Sequence, residues 1–168
     1  MTKEITQVDT LTEAQRAKLF EWGENIFGVR AHELTWRHKD VHFLLTVDGE
    51  LVSHVGVLKH EVSVAGRAVM VGGVGGVVTI PAAQKRGYAV ELMRHTAEFF
   101  ARWDVAAGLL FCLPRRVLLY QSLGWQLLHQ PVIIQQPNGS IESPLDVMVL
   151  TFGQPWPEGK VELNSLPW

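Results

Sequence analysis

Hydrophobic and polar positions along the chain follow two different periods. Leu11 to Phe27 carries apolar residues at helical spacing after a capping Thr12, which predicts one or two amphipathic helices. The pattern then becomes that of strands. Val41–Val47 and Leu51–Leu58 are rich in Val and Leu and flank Asp48-Gly49, a dipeptide favoured in type I′ turns, so they predict a β-hairpin.

The strand pattern continues through a second turn at Ala65-Gly66, which joins Glu61–Val64 to Arg67–Ile80. Gly87–Trp103 then has one apolar and one polar face, as expected of an amphipathic helix. Ala106–Leu113 predicts a buried strand. A strand, a helix and a strand in this order form a right-handed crossover, so we expect the two strands to be parallel.

The C-terminal part predicts a short helix and further strands. Arg115–Leu123 is helical and ends at Gly124, a residue suited to a left-handed cap. Leu127–Gln135 and Asp146–Phe152 are predicted strands, with a Pro137-Asn138-Gly139 turn between them. We therefore expect an α/β (α+β) fold whose mixed, mostly antiparallel sheet contains one parallel strand pair and has flanking helices.

Composition narrows the class of protein. A length of 168 residues with 47% hydrophobic content favours one domain, residues 1–168. The net charge is -2 and there is no stripe of basic residues, which argues against nucleic acid as a partner. Cys112 is alone and Met1–Thr10 lacks the features of a signal peptide, so we expect a cytoplasmic location. Ala68–Ile80 is too short to cross a bilayer, which needs roughly 20 residues, so no membrane partner is expected.

The segment Gln84-Lys85-Arg86-Gly87-Tyr88-Ala89 is the strongest candidate for chemistry. It lies where a strand becomes a helix, and the first turn of a helix offers backbone N–H donors and a favourable dipole to an anion. Gly87 permits the backbone to approach the anion closely, and Ala89 keeps the contact surface small. Lys85 and Arg86 add positive charge. The segment therefore predicts a pyrophosphate site.

The sequence lacks two common nucleotide-binding motifs. No G-x-x-x-x-G-K-[ST] occurs in the chain. The glycines between Gly72 and Gly76 do not complete G-x-G-x-x-G, because Val78 holds its last place. Neither a P-loop nor a Rossmann site is indicated.

The same loop resembles the [RQ]-x-x-G-x-[GA] acyl-CoA signature of the GCN5-related N-acetyltransferases (GNAT). The resemblance implies the GNAT fold with a splayed parallel strand pair, and acetyl-CoA as co-substrate. It also implies that Val77, Val78 and Thr79, on the strand before the loop, offer their backbone to the acyl group and pantetheine. Leu119 to Trp125 is similar to the family's "F-Y-x-x-x-G-[FW]" segment, which makes Tyr120 the candidate general acid.

Within that family, the chain from His42 to Trp168 is most similar to the aminoglycoside 2′-N-acetyltransferases, with the nodulation N-acyltransferases as a second relative. Ser53 to Leu58 resembles an "A-H-x-x-x-x" strand found in both. Two acids of the aminoglycoside enzymes fall on Gly75 and Leu166 here, which argues against a polycationic acceptor. The residues expected to bind the acceptor are Gly75, Phe111 and Trp168.

Several candidates also have a plain structural interpretation. Tyr120 has an alternative interpretation as core packing, and His54, a candidate base, has one as a satisfied buried histidine. Cys112 is better explained as a small hydrophobe than as a nucleophile. No metal is expected, because the other histidines are scattered. Trp22, Trp36 and Trp125 are candidates for the wall of an acceptor pocket.

These features predict an N-acetyltransferase that moves an acetyl group from acetyl-CoA directly to a primary amine of a small molecule, in a ternary complex. Two alternatives stay open: a non-catalytic acyl-CoA-binding sensor, and an acyltransferase that uses a longer acyl chain. A homodimer is one candidate assembly.

Overall fold

The computed structural model describes residues 1–168 as a mixed α/β fold with ten strands and three α-helices. The elements in chain order are β1 (Lys3–Val8), α1 (Glu13–Phe20), β2 (Val41–Val47), β3 (Glu50–Val64), β4 (Arg67–Thr79), α2 (Tyr88–Arg102), β5 (Ala107–Cys112), α3 (Val117–Ser122), β6 (Gln126–Leu127), β7 (Val132–Gln136), β8 (Gly139–Glu142), β9 (Asp146–Thr151) and β10 (Val161–Glu162). None of the helices is both long enough and apolar enough to span a bilayer.

All ten strands belong to one sheet, in the order β6-β9-β5-β4-β3-β10-β7-β8, with β2 also paired to β3 and β1 paired to β2. β4 and β5 are parallel, with pairs running from Val71 and Ala107 to Val74 and Leu110. Apart from this pair and the short β7–β10 pair, neighbouring strands are antiparallel. The predicted mixed sheet with a parallel crossover pair is confirmed.

Both predicted tight turns have the backbone conformation that their sequences favour. Asp48 and Gly49 have φ values of 51° and 82°, and Ala65 and Gly66 have φ values of 49° and 81°. Two successive left-handed residues are the mark of a type I′ turn, whose twist matches that of the flanking strands. These turns therefore hold β2, β3 and β4 in a continuous antiparallel meander.

Buried side chains form two clusters around the sheet. One includes Leu19 of α1 and Leu92 and Phe100 of α2, all with no exposed surface. The other cluster is built on the C-terminal segment and includes Leu163 and Trp168. Phe100 packs so closely on the backbone of β4 that a Cβ placed on Gly72 would lie 2.5 to 2.7 Å from its ring atoms, which explains why glycine stands there.

Three local expectations were wrong or incomplete. Leu127–Gln135 is not one strand: β6 pairs with β9 at one end of the sheet and β7 with β8 at the other, and Pro131, which has no N–H to donate, lies in the crossing between them. Leu11–Phe27 gives a single short helix, α1, capped by Thr12, with turns after it. The strands β1, β8 and β10 were not predicted from the sequence.

Candidate active site

The parallel strands β4 and β5 separate after the Val74–Leu110 pair. β4 runs on to Thr79, whereas β5 follows β9 as far as the pair between Cys112 and Asp146. The edge of β4 that faces β5 is therefore unpaired beyond Val74, and a cavity of about 870 Å3 opens there. Unpaired backbone N–H and C=O groups at such an edge are available to a ligand.

A β-bulge shapes this wall of the cavity. His54 pairs with Val78 and Gly56 with Gly75, so two residues of β4 oppose the single Val55 of β3. Gly76, one of the two, has a φ of 60°, which only glycine adopts readily. The bulge brings the Gly76 carbonyl oxygen to 2.6 Å from Nδ1 of His54.

The loop between β4 and α2 ends in an uncapped helix N-terminus. The side-chain amide of Gln84 donates to the Thr79 carbonyl oxygen at 3.0 Å, which closes the loop onto the strand. Lys85 and Gly87 both have positive φ, at 63° and 81°. No side chain caps the helix at Gly87, and the first intrahelical bond runs from the Glu91 N–H to the Gly87 carbonyl oxygen. The preceding N–H groups of the first turn are free for an anion.

The structure brings most of the predicted site residues around one cavity. Lining residues among them are His54, Gly75, Val77, Val78, Thr79, Gln84, Lys85, Gly87, Tyr88, Ala89, Phe111, Tyr120 and Trp168. Arg86 is exposed and lies outside this lining. The Tyr88 side chain is buried and its hydroxyl donates to Sδ of Met1 at 3.7 Å, so its backbone is the part that faces the loop.

Tyr120 of α3 combines burial with an unused hydroxyl group. The residue is 7% exposed, and its ring packs edge-on against Trp125 at a centroid distance of 6.4 Å. Its hydroxyl makes no hydrogen bond within the chain. Burial, with a smaller effect of Cys112, raises the pKa of Tyr120 to about 12, so the phenol keeps its proton at neutral pH. Trp125 is 3% exposed and is a core residue, outside the cavity lining.

His54 is buried, and both of its ring nitrogens are occupied. Because the Gly76 carbonyl oxygen can only accept, Nδ1 of His54 carries the proton and donates to it. Nε2 of the neutral ring therefore accepts, at 2.8 Å, from Nδ1–H of His42. Nε2 of His42 is then an unprotonated nitrogen without a partner in the chain, and His42 lines the cavity. Sequence reasoning missed His42 as a site residue.

The buried histidine makes stability depend on pH. Burial lowers the pKa of His54 to about 3, against an ordinary value of 6.5. The unfolded chain therefore takes up this proton first as pH falls, and stability is lost below pH 6.5. At about 1.4 kcal/mol per pH unit, we expect the free energy of unfolding to fall by about 2 to 3 kcal/mol between pH 6.5 and pH 4.5. Urea denaturation at several pH values measures it, and an unchanged free energy would contradict the assignment.

Gly75 lies under the side chain of Lys39, another residue that sequence reasoning missed. A Cβ on Gly75 would come within 2.9 Å of Lys39 Nζ and 2.8 Å of the Trp168 backbone carbon. Trp168 donates from Nε1 to the Leu109 carbonyl oxygen at 3.1 Å and packs edge-on against Phe111 at 5.8 Å. This end of the cavity is therefore built from a lysine and an aromatic pair.

Other lining residues complete the cavity. Trp22 and Trp36 lie in its wall, as do Arg16, Arg37 and Arg116. Cys112 also lines it, but burial, with a smaller effect of the nearby Asp146, raises the pKa of its thiol to about 12, so it stays a poor nucleophile. No group of three or more His, Cys, Asp or Glu side chains lies together in a way that holds a metal ion.

Residues 7–128 match the family described as the acetyltransferase (GNAT) domain. The chain belongs to the GNAT acetyltransferase family. This match covers the splayed strands, the loop before α2 and Tyr120. No curated protein matches the sequence.

Solved structures share the fold at low sequence identity. A GNAT family acetyltransferase from Brucella melitensis, solved with acetyl-CoA, matches with a TM-score of 0.58 and 16% identity over 95% of this chain and 94% of that one. The ribosomal-protein-S18-alanine N-acetyltransferase of Escherichia coli matches with a TM-score of 0.55 and 17% identity, over 92% and 97%. A GCN5-related N-acetyltransferase from Kribbella flavida matches with a TM-score of 0.51 and 21% identity, over 74% of this chain but 34% of that one.

Proposed function

We propose that residues 1–168 form one acyltransferase domain that moves an acetyl group from acetyl-CoA to a primary amine of a small molecule. The observation that carries the proposal is the cavity between β4 and β5, which has a free helix N-terminus at one part of its wall and the unpartnered Tyr120 hydroxyl at another. The Brucella melitensis relative, solved with acetyl-CoA, supports the choice of donor.

The residues present fit acetyl-CoA. Nothing lies within 4 Å of the position that a Cβ on Gly87 would take, so the backbone at the helix start is open to a pyrophosphate. Lys85 lines the cavity, and in this proposal it and the exposed Arg86 supply positive charge to the phosphates. The open edge of Val77, Val78 and Thr79 would hold the pantetheine arm. When bound, acetyl-CoA supplies the thioester that is attacked.

In this proposal two groups of the chain move protons. The protonated amine first gives one proton to Nε2 of His42 and then attacks the thioester carbon. The carbon–sulfur bond breaks, the leaving sulfur takes a proton from the Tyr120 hydroxyl, and the second proton of the amine nitrogen returns to the Tyr120 oxygen. His54 acts through His42: it accepts from Nδ1–H and so keeps the lone pair on Nε2 facing the cavity. An imidazolium formed on His42 would retain this hydrogen bond.

The proposed base, His42, removes a proton from the amine. An amine with a pKa of about 9 to 10 must lose a proton before it attacks, which costs about 3 to 4 kcal/mol at pH 7. Burial first, and then the charges of Arg16 and Lys39, lower the pKa of His42, so the ring is neutral and able to accept that proton at neutral pH. Positioning of the amine against the thioester supplies much of the remaining acceleration.

Direct transfer in a ternary complex is favoured over a covalent enzyme intermediate. Cys112 is the one cysteine of the chain, and its thiol ionises only near pH 12. The hydrogen bonds that histidine rings make, at His42, His54 and His60, do not include it. An acylated cysteine would therefore form slowly at neutral pH.

The sequence resemblance to the aminoglycoside 2′-N-acetyltransferases supports a small amine as acceptor, but the absence of an acidic side chain at Gly75 argues against a polycation. Gly75 stands where those enzymes have an acid, and Lys39 lies over it. We therefore propose an acceptor with at most one positive charge.

Release of free CoA thiol from acetyl-CoA, measured across a panel of primary amines, tests the proposed reaction. We expect at least one amine to accelerate thiol release in proportion to protein concentration, with the N-acetylated amine as product. If acetyl-CoA binds but no amine gives turnover, the chain is a binding module and the proposal fails. Octanoyl-CoA in place of acetyl-CoA is the control for chain length, and faster release from it would contradict the acetyl donor.

A further inference from the structure

The segment that runs from the end of α1 to β2 forms an apolar wall of the cavity. Between Phe20 and Trp36 every residue that lines the cavity is apolar, and these residues are Phe20, Trp22, Ile26, Phe27, Val29 and Trp36. The charged residues of the same stretch are exposed and lie outside the lining, and they are Glu21, Glu24, Arg30 and Glu33. The segment therefore turns its apolar side chains to the cavity and its charges to solvent.

Contacts on both sides of the cavity hold the apolar wall in place. The indole N–H of Trp22 donates to the Leu19 carbonyl oxygen at 2.8 Å, which fixes this ring at the end of α1. On the other side, Gly28 packs against the residues that follow β5, where a Cβ on it would lie 3.0 Å from Leu113 Cδ1. The wall therefore reaches across the cavity from α1 to the end of β5.

Two aromatic rings of the wall are left partly uncovered by the chain. Trp22 and Phe27 are each 39% exposed, and both line the cavity. The other large apolar side chains that are exposed, Met1, Leu118 and Ile141, lie outside the lining. Single exposed apolar side chains are ordinary, but several that share one groove mark a binding site for an apolar ligand. Because the Trp22 N–H already has its acceptor, its ring offers the cavity apolar surface.

The apolar wall begins at the two histidines of the site. The Phe20 ring is edge-on to the His54 ring at a centroid distance of 5.1 Å, and it lies 6.1 Å from the Phe27 ring. A Cβ on Gly76 would lie 3.9 Å from Phe20 Cε1, so the wall stands over the β-bulge of β4. His54 is hydrogen-bonded to His42, the proposed base. In the proposed reaction the wall therefore adjoins the place where the amine loses its proton.

We propose that the apolar wall binds the body of the acceptor, so that the substrate class is a primary amine carried on one apolar alkyl or aryl group. This inference rests on the proposed acetyl transfer and specifies its substrate. The amine faces Nε2 of His42, and the apolar group packs against Phe20, Trp22 and Phe27. Binding covers the exposed parts of these rings, and the removal of apolar surface from water supplies the affinity.

A series of linear primary amines measures this contribution through the rate of thiol release. Ethylamine, butylamine and hexylamine have nearly the same pKa and differ only in their number of methylene groups. Complete burial of a methylene group strengthens binding about fourfold, so with partial to complete burial we expect kcat/KM to rise about two- to fourfold for each one. Equal values of kcat/KM for ethylamine and hexylamine would overturn the inference.

A diamine tests whether the far end of the acceptor has to be apolar. In length 1,5-diaminopentane matches hexylamine, but it carries a second ammonium group in place of the terminal methyl group. A charge laid against an apolar wall loses its hydration without gaining a partner, so we expect kcat/KM for the diamine to be at least about 10-fold below that for hexylamine. A diamine that reacts as fast as hexylamine would contradict the apolar substrate class.

Two variants of the wall test its residues directly. Trp22→Ala and Phe27→Ala should each lower the ratio of kcat/KM between hexylamine and ethylamine, because each removes ring surface from the wall. Leu118→Ala is the matched control, since it shortens an apolar side chain that is 79% exposed on α3 and outside the lining, and it should keep the native ratio. The ratio does not depend on the folded fraction of a preparation. A native ratio in both wall variants would overturn the inference.

The acyl chain of the donor is the other apolar group that would fit this wall. Acetyl-CoA and octanoyl-CoA, each with ethylamine as acceptor, distinguish the two occupants. If Trp22→Ala and Phe27→Ala change the preference between these donors and leave the preference between the amines unchanged, the wall holds the acyl chain and the inference fails. Failure of the proposed reaction looks different, since no amine of the series then releases thiol from either donor.

Discussion

Tyr120→Phe is expected to lower kcat about 100-fold or more while leaving the dissociation constant of acetyl-CoA within about twofold of the native value. General acid catalysis contributes about 100- to 10,000-fold, and the substitution removes the only atom that donates the proton. Stability should hardly change, because the hydroxyl has no partner in the chain and the ring, 7% exposed, keeps its packing against Trp125. Steady-state kinetics together with calorimetric titration of acetyl-CoA measure both quantities.

Ser122→Ala is the matched control for the loss of a hydroxyl group. Ser122 lies on the same helix, α3, but is exposed and outside the cavity lining, where its hydroxyl donates to the Leu119 carbonyl oxygen. It should retain native kcat. If Tyr120→Phe also retains native kcat, then Tyr120 is a packing residue and the leaving sulfur takes its proton from water.

Sequence reasoning succeeded where neighbouring residues determine the structure. The Asp48-Gly49 and Ala65-Gly66 turns need two left-handed residues, a property of the dipeptides themselves. The amphipathic pattern of α2 and its N-terminal Gly87 likewise determined where the helix begins. A strand, a helix and a strand in succession also imply the parallel strand pair. Together these elements place the predicted loop beside the cavity.

The missed parts depend on contacts between distant segments. β1 pairs with β2, and β10 pairs with β3 and β7, so neither short strand is stable by itself or has a pattern of its own. In the sequence Lys39 is an ordinary polar residue, and only the fold lays it across Gly56 and Gly75. Its position beside the cavity follows from tertiary structure alone.

The position of His42 beside His54 could be predicted only in part, because the hairpin that carries both residues was recognisable in the sequence. A register shift between Leu45 and Thr46 pairs His42 with Gly56 and Leu44 with His54. His42 and His54 are therefore diagonal neighbours on one face of the sheet. The type I′ turn predicts antiparallel pairing of these strands, but the shift that brings the two histidines together cannot be predicted from the turn.

His42→Gln is expected to lower kcat/KM about 100-fold at pH 7 and to remove the acid limb of its pH profile. In the native protein the rate should fall as pH drops through the pKa of His42, which burial and then Arg16 and Lys39 hold below the usual 6.5. Below that pH the ring is protonated and cannot take the proton of the amine. Rates of thiol release between pH 5 and pH 9 measure the limb.

The pH profile of His54→Gln distinguishes a positioning role of His54 from a catalytic one. His54 does not reach the amine, since Gly76 and His42 occupy both of its nitrogens, so the limb should persist in this variant with its midpoint moved. A purely structural role would lower the amplitude at every pH and leave the midpoint in place. His32→Gln, at an exposed position outside the cavity lining, is the control and should match the native profile. His42 Nε2 is the only ring nitrogen of these two histidines without a partner. If the acid limb is unchanged in His42→Gln, the amine therefore gives its proton to water and not to His42.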